Sequence, residues 1–141
     1  MIPLLNRLNY KPSTTVYILN HPTEFAEELQ LIEASAPVQY AIDSGSDIEF
    51  VLVFVKSKEE IDESLETLKD KLKGDAILWY AFPKKSSKRY KVEINRDKGW
   101  DNLAQANFAG VRAVAIDDDW SALRFRRVEY IKSMTRTFNP V

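Results

Sequence analysis

The 141-residue chain is long enough for one domain, and its composition, 45% hydrophobic and 29% charged with a net charge of −1, is typical of a packed globular protein. It contains no cysteine, which excludes disulfides, thiolate metal sites and cysteine nucleophiles, and its one histidine argues against a multi-histidine zinc site. No apolar stretch approaches the roughly 20 residues of a membrane span and no secretory leader is recognisable, so we expect a cytoplasmic protein without a membrane association or metal.

Strands and helices alternate through the first part of the chain. A β-branched and aromatic run predicts a first strand over 14–19, and Pro22, followed by apolar residues at helical spacing, predicts a helix over 22–34. Residues 38–42 alternate as a short second strand. Residues 48–55 are almost continuously apolar, as expected of a central parallel strand that is covered on both faces.

The helix after this strand has the clearest start signal in the chain. Ser57 and Glu60 form a capping box, in which the two side chains satisfy free backbone donors at the helix start. Apolar residues then repeat on one helix face, at Ile61, Leu65, Leu68 and Leu72. We therefore expect the helix to continue until it is closed by Gly74.

The second half of the chain predicts a strand, a helix and a hairpin. An apolar run marks a strand over 76–82, and a third helix is expected over 95–108, stopped by Gly110. Two further strands, over 111–116 and 120–126, are joined by an acidic turn and therefore predict an antiparallel hairpin.

These elements predict an α/β fold of three layers, a Rossmann-like sandwich with a mostly parallel sheet and a C-terminal antiparallel hairpin. We expect a single domain over residues 1–141, with a core of about 12–128. Residues 129–141 would form a C-terminal tail that is either a short helix or a frayed end.

The turn that leaves the first strand is the first place to look for a ligand, because open α/β sheets bind ligands beyond the carboxyl ends of their strands. Dinucleotide and methyl-donor folds place a glycine-rich turn there, since glycine lets backbone amides approach the cofactor. Here the turn is Asn20-His21-Pro22-Thr23, which contains no glycine. We therefore expect no nucleotide-type cofactor.

His21 stands where a catalytic base could stand, with Asn20 beside it as an orienting hydrogen-bond donor. The structural alternative is a histidine that caps the following helix or packs at the sheet edge. This alternative is favoured, because no serine or carboxylate partner can be assigned to His21 from the sequence.

A basic loop follows the strand over 76–82 and begins with Lys84, Lys85, Ser86 and Ser87. Lysines and hydroxyls can hold a phosphate as point charges and donors, so this loop is the candidate site for an anionic small molecule or an acidic protein surface. A solvated charge run is the alternative, and it is favoured because charge alone does not specify a ligand.

Three more features have both a functional and a structural interpretation. The carboxylates of 117–119 could attract a divalent metal, but turn chemistry is favoured because adjacent side chains point in different directions. Trp120 is a candidate ligand-binding residue, although the tryptophans are more typical of a core or rim. A pI near 5.9 makes nucleic acid an unexpected partner for the arginine stripe, Arg124, Arg126 and Arg127.

Four segments of the chain, 11–22, 50–57, 78–87 and 117–125, resemble a bacterial family of small proteins known only as a domain of unknown function. The sharpest matches are two strings, Pro83-Lys84-Lys85-Ser86-Ser87 and Trp120-Ser121-Ala122-Leu123-Arg124-Phe125. The resemblance covers residues 7–127 and implies a truncated methyltransferase-like fold that ends in an antiparallel hairpin. True methyltransferases have a glycine-rich first turn and an acidic residue at the end of strand two. This chain lacks that turn, and its nearest acidic residue, Asp43, lies just after the second strand. Methyl transfer is therefore not expected.

Two functions remain open, and an uneven charge distribution bears on both. Residues 1–74 contain seven Lys/Arg against 13 Asp/Glu, whereas residues 75–141 contain 13 against eight. Clustered charge can direct an anionic ligand or an acidic partner to one face. The favoured hypothesis is therefore a non-catalytic binding or interaction module that uses the basic loop. The alternative is a small-molecule enzyme, related to degenerate methyltransferases, in which His21 is the acid or base and the basic loop clamps an anion.

Overall fold

The computed structural model describes residues 3–43 and 45–131. Its six-stranded sheet consists of Val16–Leu19 (β1), Val38–Gln39 (β2), Ile48–Phe54 (β3), Leu72–Pro83 (β4), Phe108–Ala115 (β5) and Trp120–Arg127 (β6). The helices are Pro3–Arg7 (α1), Ala26–Ser35 (α2), Lys58–Leu68 (α3) and Asp101–Gln105 (α4), and short 3-10 turns occur at Thr23–Phe25 and Val128–Tyr130. No helix in this part of the chain is long and apolar enough to cross a membrane.

The strand order is β2-β1-β3-β4-β6-β5, with β1 to β4 parallel and β6 antiparallel to both of its neighbours. The predicted α/β fold with a mostly parallel sheet and a C-terminal hairpin is therefore confirmed. From β1 the chain passes first to β2 on one side and then to β3 on the other. The order reverses between β1 and β3, which makes the carboxyl ends of these two strands the expected ligand position.

The sheet separates two hydrophobic clusters and gives the fold three layers. One cluster joins α1 and α2 to the sheet through residues such as Leu5, Ile32 and Trp79. The other joins α3 and α4 to the opposite face through residues such as Leu65, Leu103 and Tyr80. The near-continuous apolar run of β3 follows from this arrangement, because its alternate side chains enter both clusters.

The predicted end of α3 is wrong. The helix ends at Leu68, while Leu72 begins β4 and pairs with Ile48, and Gly74 lies within that strand at φ 55°. Leu72 fits the helical spacing of the preceding leucines, but an apolar, buried residue is expected just as well at the first position of a strand, where Leu72 lies. Spacing alone therefore could not distinguish the last turn of the helix from the start of the sheet.

The predicted helix over 95–108 is also mostly wrong, because only Asp101–Gln105 is helical. Gly99 prevents a longer helix: it has φ 114°, and a Cβ there would lie 2.7 Å from Cγ2 of Ile94. The turn after α4 is made by Asn107 at φ 68° rather than by Gly110, which lies inside β5. Asparagine tolerates this left-handed backbone because its short polar side chain can bond locally.

The chain near its N-terminus contributes more to the core than expected. Leu4, Leu5 and Leu8 are buried around α1, which precedes the expected core boundary near residue 12. The indole nitrogen of Trp79 donates to the Leu8 carbonyl at 2.9 Å and fastens this segment to the sheet. At the other end, residues 129–131 are described, and the rest of the expected tail lies outside the described residues.

Candidate functional site

A cleft lies beside the carboxyl end of β1, at the point where the strand order reverses. It has a volume of about 380 Å³. We call it the β1 cleft, and its walls are formed by Leu19, Asn20, Ile42, Glu60, Glu63, Ser64 and Thr67. Four of these residues lie on α3 and present carboxylates and hydroxyls to the space.

The floor of the β1 cleft is a sharp turn made by Asn20. This residue has φ 62°, a left-handed backbone that glycine adopts most readily and asparagine tolerates. Pro22 follows with an extended backbone, and the Thr23–Phe25 turn leads into α2. The absence of glycine in the sequence therefore does not prevent a glycine-like turn, although the exposed Asn20 side chain lines the space.

The wall of the β1 cleft is held in place by the predicted capping box. The Ser57 hydroxyl accepts from the Glu60 amide at 3.2 Å, and Glu60 Oε1 accepts from the Lys56 amide at 2.6 Å, one residue before the expected partner. On the next turn, the Ser64 hydroxyl lies 2.8 Å from the Tyr80 hydroxyl, and burial raises the pKa of Tyr80. These bonds fix the side of α3 that faces the ligand position.

The basic loop after β4 is ordered by Ser87, which is only 1% exposed. Its hydroxyl donates to Asp119 Oδ1 at 2.8 Å and accepts from the amides of Arg89 and Tyr90, both at 3.1 Å. The Lys84 amide also donates to the Asp119 carbonyl at 2.7 Å. Ser87 therefore holds the loop in shape, and the exposed neighbours Lys85 and Ser86 are better placed to meet a ligand.

The same loop is fastened by Glu24 to the connection that follows β1. This carboxylate accepts from the Tyr90 hydroxyl and from the Trp120 indole nitrogen, the latter at 3.1 Å. Burial acts to raise the pKa of Glu24, but the hydrogen bonds from Tyr90 and Trp120 outweigh it, so its pKa is lowered. Burial and the Glu24 carboxylate together raise the pKa of Tyr90 to about 12.

Trp120, a predicted ligand-binding residue, is one of these two donors to Glu24, and its side chain is only 2% exposed. Its ring packs edge-on against Phe54 and Tyr90, at centroid distances of 5.1 and 5.2 Å. The Lys56 ammonium lies over the Tyr90 ring, 5.4 Å from its centroid. We call Glu24, Ser87, Tyr90, Asp119 and Trp120 the aromatic brace.

A second cavity, of about 370 Å³, lies on the outer side of the basic loop. We call it the lysine cavity, because Lys84, Lys85 and Lys91 line it together with Tyr90 and Asn95. The Lys91 ammonium donates to the Ser87 carbonyl at 3.2 Å, whereas no such tie is found for the ammonium groups of the other two lysines in the described part of the chain.

The residues of the enzyme hypothesis lie in two separate places. His21 is exposed and its ring packs against Tyr40, with centroids 5.7 Å apart, on the β2 side of the sheet. Asn20 lines the β1 cleft, whereas Lys84 and Lys85 line the lysine cavity beyond β4. His21 lines neither of these two cavities, so the anion clamp and His21 do not share a cavity.

The acidic turn behaves as turn chemistry predicts. Asp117 Oδ1 accepts from the amides of Asp119 and Trp120, both at 2.8 Å, and so closes the hairpin. The described residues contain no group of three or more His, Cys, Asp or Glu side chains that could hold a metal ion.

Comparison with known proteins finds the fold but no family. No protein-family model matches the chain, and no curated protein sequence does. Among solved structures, the chain is similar to a SAM-dependent methyltransferase from Aquifex aeolicus, with a TM-score of 0.60, 13% identity and coverage of 89% of this chain and 88% of that one.

Two further solved structures have the same architecture. The N-methyltransferase NodS from Bradyrhizobium japonicum, in complex with S-adenosyl-L-homocysteine, gives a TM-score of 0.56 at 12% identity over 88% of this chain and 84% of that one. The ribosomal protein L11 methylase from Lactobacillus delbrueckii gives 0.54 at 14% identity over 87% and 74%. The methyltransferase-like fold that the family resemblance implies is confirmed.

The sequence missed several residues that shape this region. Glu24 stands in the first turn of a predicted helix, where a favourable helix dipole was sufficient to explain it. Ile42 and Thr67 have no motif around them, and they meet at the β1 cleft only because β2 and α3 flank β1. The capping box was a usable signal only for the residue at which α3 begins.

Proposed function

We propose that this chain is a small-molecule enzyme of the methyltransferase type, and that the β1 cleft binds an S-adenosyl ligand. The observation on which this depends is the position of the cleft, at the reversal of strand order in a methyltransferase-like sheet. The NodS complex with S-adenosyl-L-homocysteine supports the proposal, because that protein has the same fold. This interpretation replaces the non-catalytic module as the favoured one.

The size and chemistry of the β1 cleft fit such a ligand. Small-molecule sites typically measure about 300–1,000 Å³, and this cleft is about 380 Å³. Glu60 and Glu63 would accept hydrogen bonds from ligand hydroxyl and amino groups, and their negative charges would stabilise a positive charge on the ligand. Leu19 and Ile42 supply apolar surface for the rest of it.

The turn at Asn20 would set how closely a ligand approaches the backbone, because its left-handed conformation is the one a glycine would supply. S-Adenosylmethionine, when bound, would supply an activated methyl group. His21, exposed and adjacent to this turn, would accept the proton that the acceptor substrate loses when it is methylated.

Thermal unfolding with S-adenosylmethionine and S-adenosyl-L-homocysteine tests the proposal. A ligand at about 100 times its dissociation constant stabilises the native state by about 2.7 kcal/mol. Glu63→Arg, which fills the β1 cleft, should abolish this shift. Glu59→Arg is the matched control, because Glu59 is an exposed glutamate on the same helix but outside the cleft. No shift with either compound in the unmodified chain would reject the proposal.

A second candidate function is anion binding at the lysine cavity, as the basic loop predicts. The observation that favours it is that three lysines line this cavity of about 370 Å³. The Lys84→Ala, Lys85→Ala double variant should lose the part of a phosphate-dependent shift in unfolding temperature that comes from this cavity, whereas Lys88→Ala, outside the cavity, should lose none of it. If His21→Ala abolishes a measured activity without changing the folded state, the enzyme interpretation gains.

A further inference from the structure

Three arginines lie together on one face of the sheet, far from the β1 cleft. Arg112 of β5 is paired directly with Arg124 of β6, and Arg126 follows two residues later on the same face of β6. Like charges directly opposite each other across two strands are destabilising. An arrangement that breaks a local rule in this way, without an evident structural gain, is expected at functional sites.

The described residues neutralise only one of these three charges. Arg126 donates three hydrogen bonds to the Asp75 carboxylate, from Nε to Oδ1 at 2.9 Å and to Oδ2 at 3.0 Å, and from a terminal nitrogen to Oδ2 at 2.6 Å. Arg112 donates at 2.7 Å to the side-chain oxygen of Asn9, which is uncharged. Arg124 Nε is buried without an acceptor. One carboxylate therefore serves three guanidinium groups, and two positive charges remain.

The surroundings of Arg124 show the same imbalance. Burial lowers the pKa of Arg124, and the charges of Arg126 and Arg112 lower it further, while Asp75 opposes them. The side chain is thus partly removed from water beside two other cations. An oxyanion bound against the rest of this guanidinium group would offset the repulsion between the three cations.

Protection of a sheet edge does not explain the cluster. β5 is the outermost strand, and a charged residue such as Arg112 is a usual device against unwanted strand pairing there. Arg124 and Arg126, however, lie on β6, which is paired on both sides. Their charges would add nothing to the protection of an edge that is one strand away.

We propose that Arg112, Arg124 and Arg126, the arginine face, bind the phosphate group of a small-molecule phosphomonoester. A phosphomonoester has a charge of about −1.5 to −2 at neutral pH, which matches the two uncompensated positive charges better than a single carboxylate would. Guanidinium forks also fit phosphate oxygens in a bidentate manner. A long nucleic acid is disfavoured, because the chain has a pI near 5.9.

The experiment measures thermal unfolding of the full chain in inorganic phosphate, acetate and sodium chloride at equal ionic strength. Phosphate should raise the unfolding temperature more than the other two salts. Arg124→Met and the exposed-site variant Arg112→Gln should each bind phosphate at least tenfold more weakly. In the absence of phosphate, both variants should unfold at the same or a higher temperature than the unmodified chain, because like-charge repulsion is relieved.

The Lys84→Ala, Lys85→Ala double variant is the control, and it should retain the part of the phosphate response that Arg112→Gln and Arg124→Met remove, because the lysine cavity lies elsewhere. The proposal is overturned if Arg112→Gln and Arg124→Met leave the phosphate response unchanged, or if acetate gives an equal shift. It is also overturned if a single-stranded oligonucleotide binds the arginine face more tightly than phosphate does, since that result would assign the face to nucleic acid. Loss of stability in both variants without phosphate would assign the arginines a structural role instead.

Discussion

The two connections that leave the carboxyl edge of the sheet share the Glu24–Tyr90 bond, but they differ in how firmly the residues next to the strand are held. The turn after β1 passes through two exposed residues, Asn20 and His21, and borders an open cleft. The loop after β4 contains more charge, yet its centre is fastened by Ser87 to Asp119 and by Tyr90 to Glu24.

This difference shows that a high density of charged residues does not mean that their side chains are free to bind a ligand. In the basic loop the sequence suggests a set of free ligand groups, but the Ser87 hydroxyl is fully used in bonds that shape the loop. At the β1 turn the sequence suggests a blocked site, but the backbone at Asn20 takes a glycine-like form beside a cleft. The less charged connection is therefore the more open one.

The largest effect is expected at the centre of the held loop. Ser87→Ala should destabilise the protein by about 3 kcal/mol, because three polar groups lose one shared partner and each unsatisfied group costs about 1–3 kcal/mol. Chemical denaturation measures the difference. Ser86→Ala, at the exposed neighbouring serine, is the control and should change stability by less than about 0.5 kcal/mol; equal effects of the two variants would show that the loop is not braced.

The next effect concerns Glu24 and depends on pH. Glu24→Leu should cost about 2 kcal/mol at neutral pH, because hydrogen bonds to a charged group contribute about 1.5–3 kcal/mol. The pKa of Glu24 is lowered in the folded state, so its contribution is complete above the ordinary glutamate pKa of about 4.3 and is lost as the pH falls through the folded value.

Glu24→Gln separates this titration from the loss of an acceptor. Stability measured from pH 6 to pH 2 (a range of about four units around the ordinary value) should fall less steeply in the variant than in the unmodified chain. Glu27→Gln, at an exposed position of α2, should follow the unmodified chain. Parallel curves for Glu24→Gln and the unmodified chain would contradict the assignment.

A smaller effect is expected at the open turn. Asn20→Ala should cost about 1 kcal/mol, because alanine lacks the short polar side chain by which asparagine tolerates a left-handed backbone, a conformation that otherwise costs about 1–2 kcal/mol. Asn20→Gly should be nearly neutral and should change the shift caused by an S-adenosyl ligand. Asn107→Gly, at the equally left-handed turn before β5, should leave that shift unaltered. If the two glycine variants respond to the ligand identically, the turn at Asn20 is not part of the binding site.

The smallest effect is expected at the exposed end of the basic loop. Lys85→Ala should change stability by less than about 0.5 kcal/mol, because the side chain is exposed and makes no hydrogen bond among the described residues. Calorimetry should nevertheless show weaker phosphate binding if the lysine cavity is an anion site. A large loss of stability would indicate that the whole loop, and not only Ser87, is part of the brace.

Much of the architecture could be predicted from local patterns. The apolar run of β3, the capping box at Ser57 and the acidic turn at Asp117 each depend on neighbours within a few residues, and each is confirmed. Predictions of where elements end were weaker. Leu72 and Gly110 are consistent with either a helix or a strand when only adjacent residues are considered.

The amino-acid sequence by itself determined the fold class, the hairpin and the residues at the end of β1, because hydrophobic period and turn chemistry are properties of short segments. Only the tertiary structure decided that Asn20 and α3 share a cleft, that Glu24 meets Tyr90 and Trp120, and that Arg112 faces Arg124. These contacts join residues far apart in the chain, and strand order and register place them together. No local pattern contains that information.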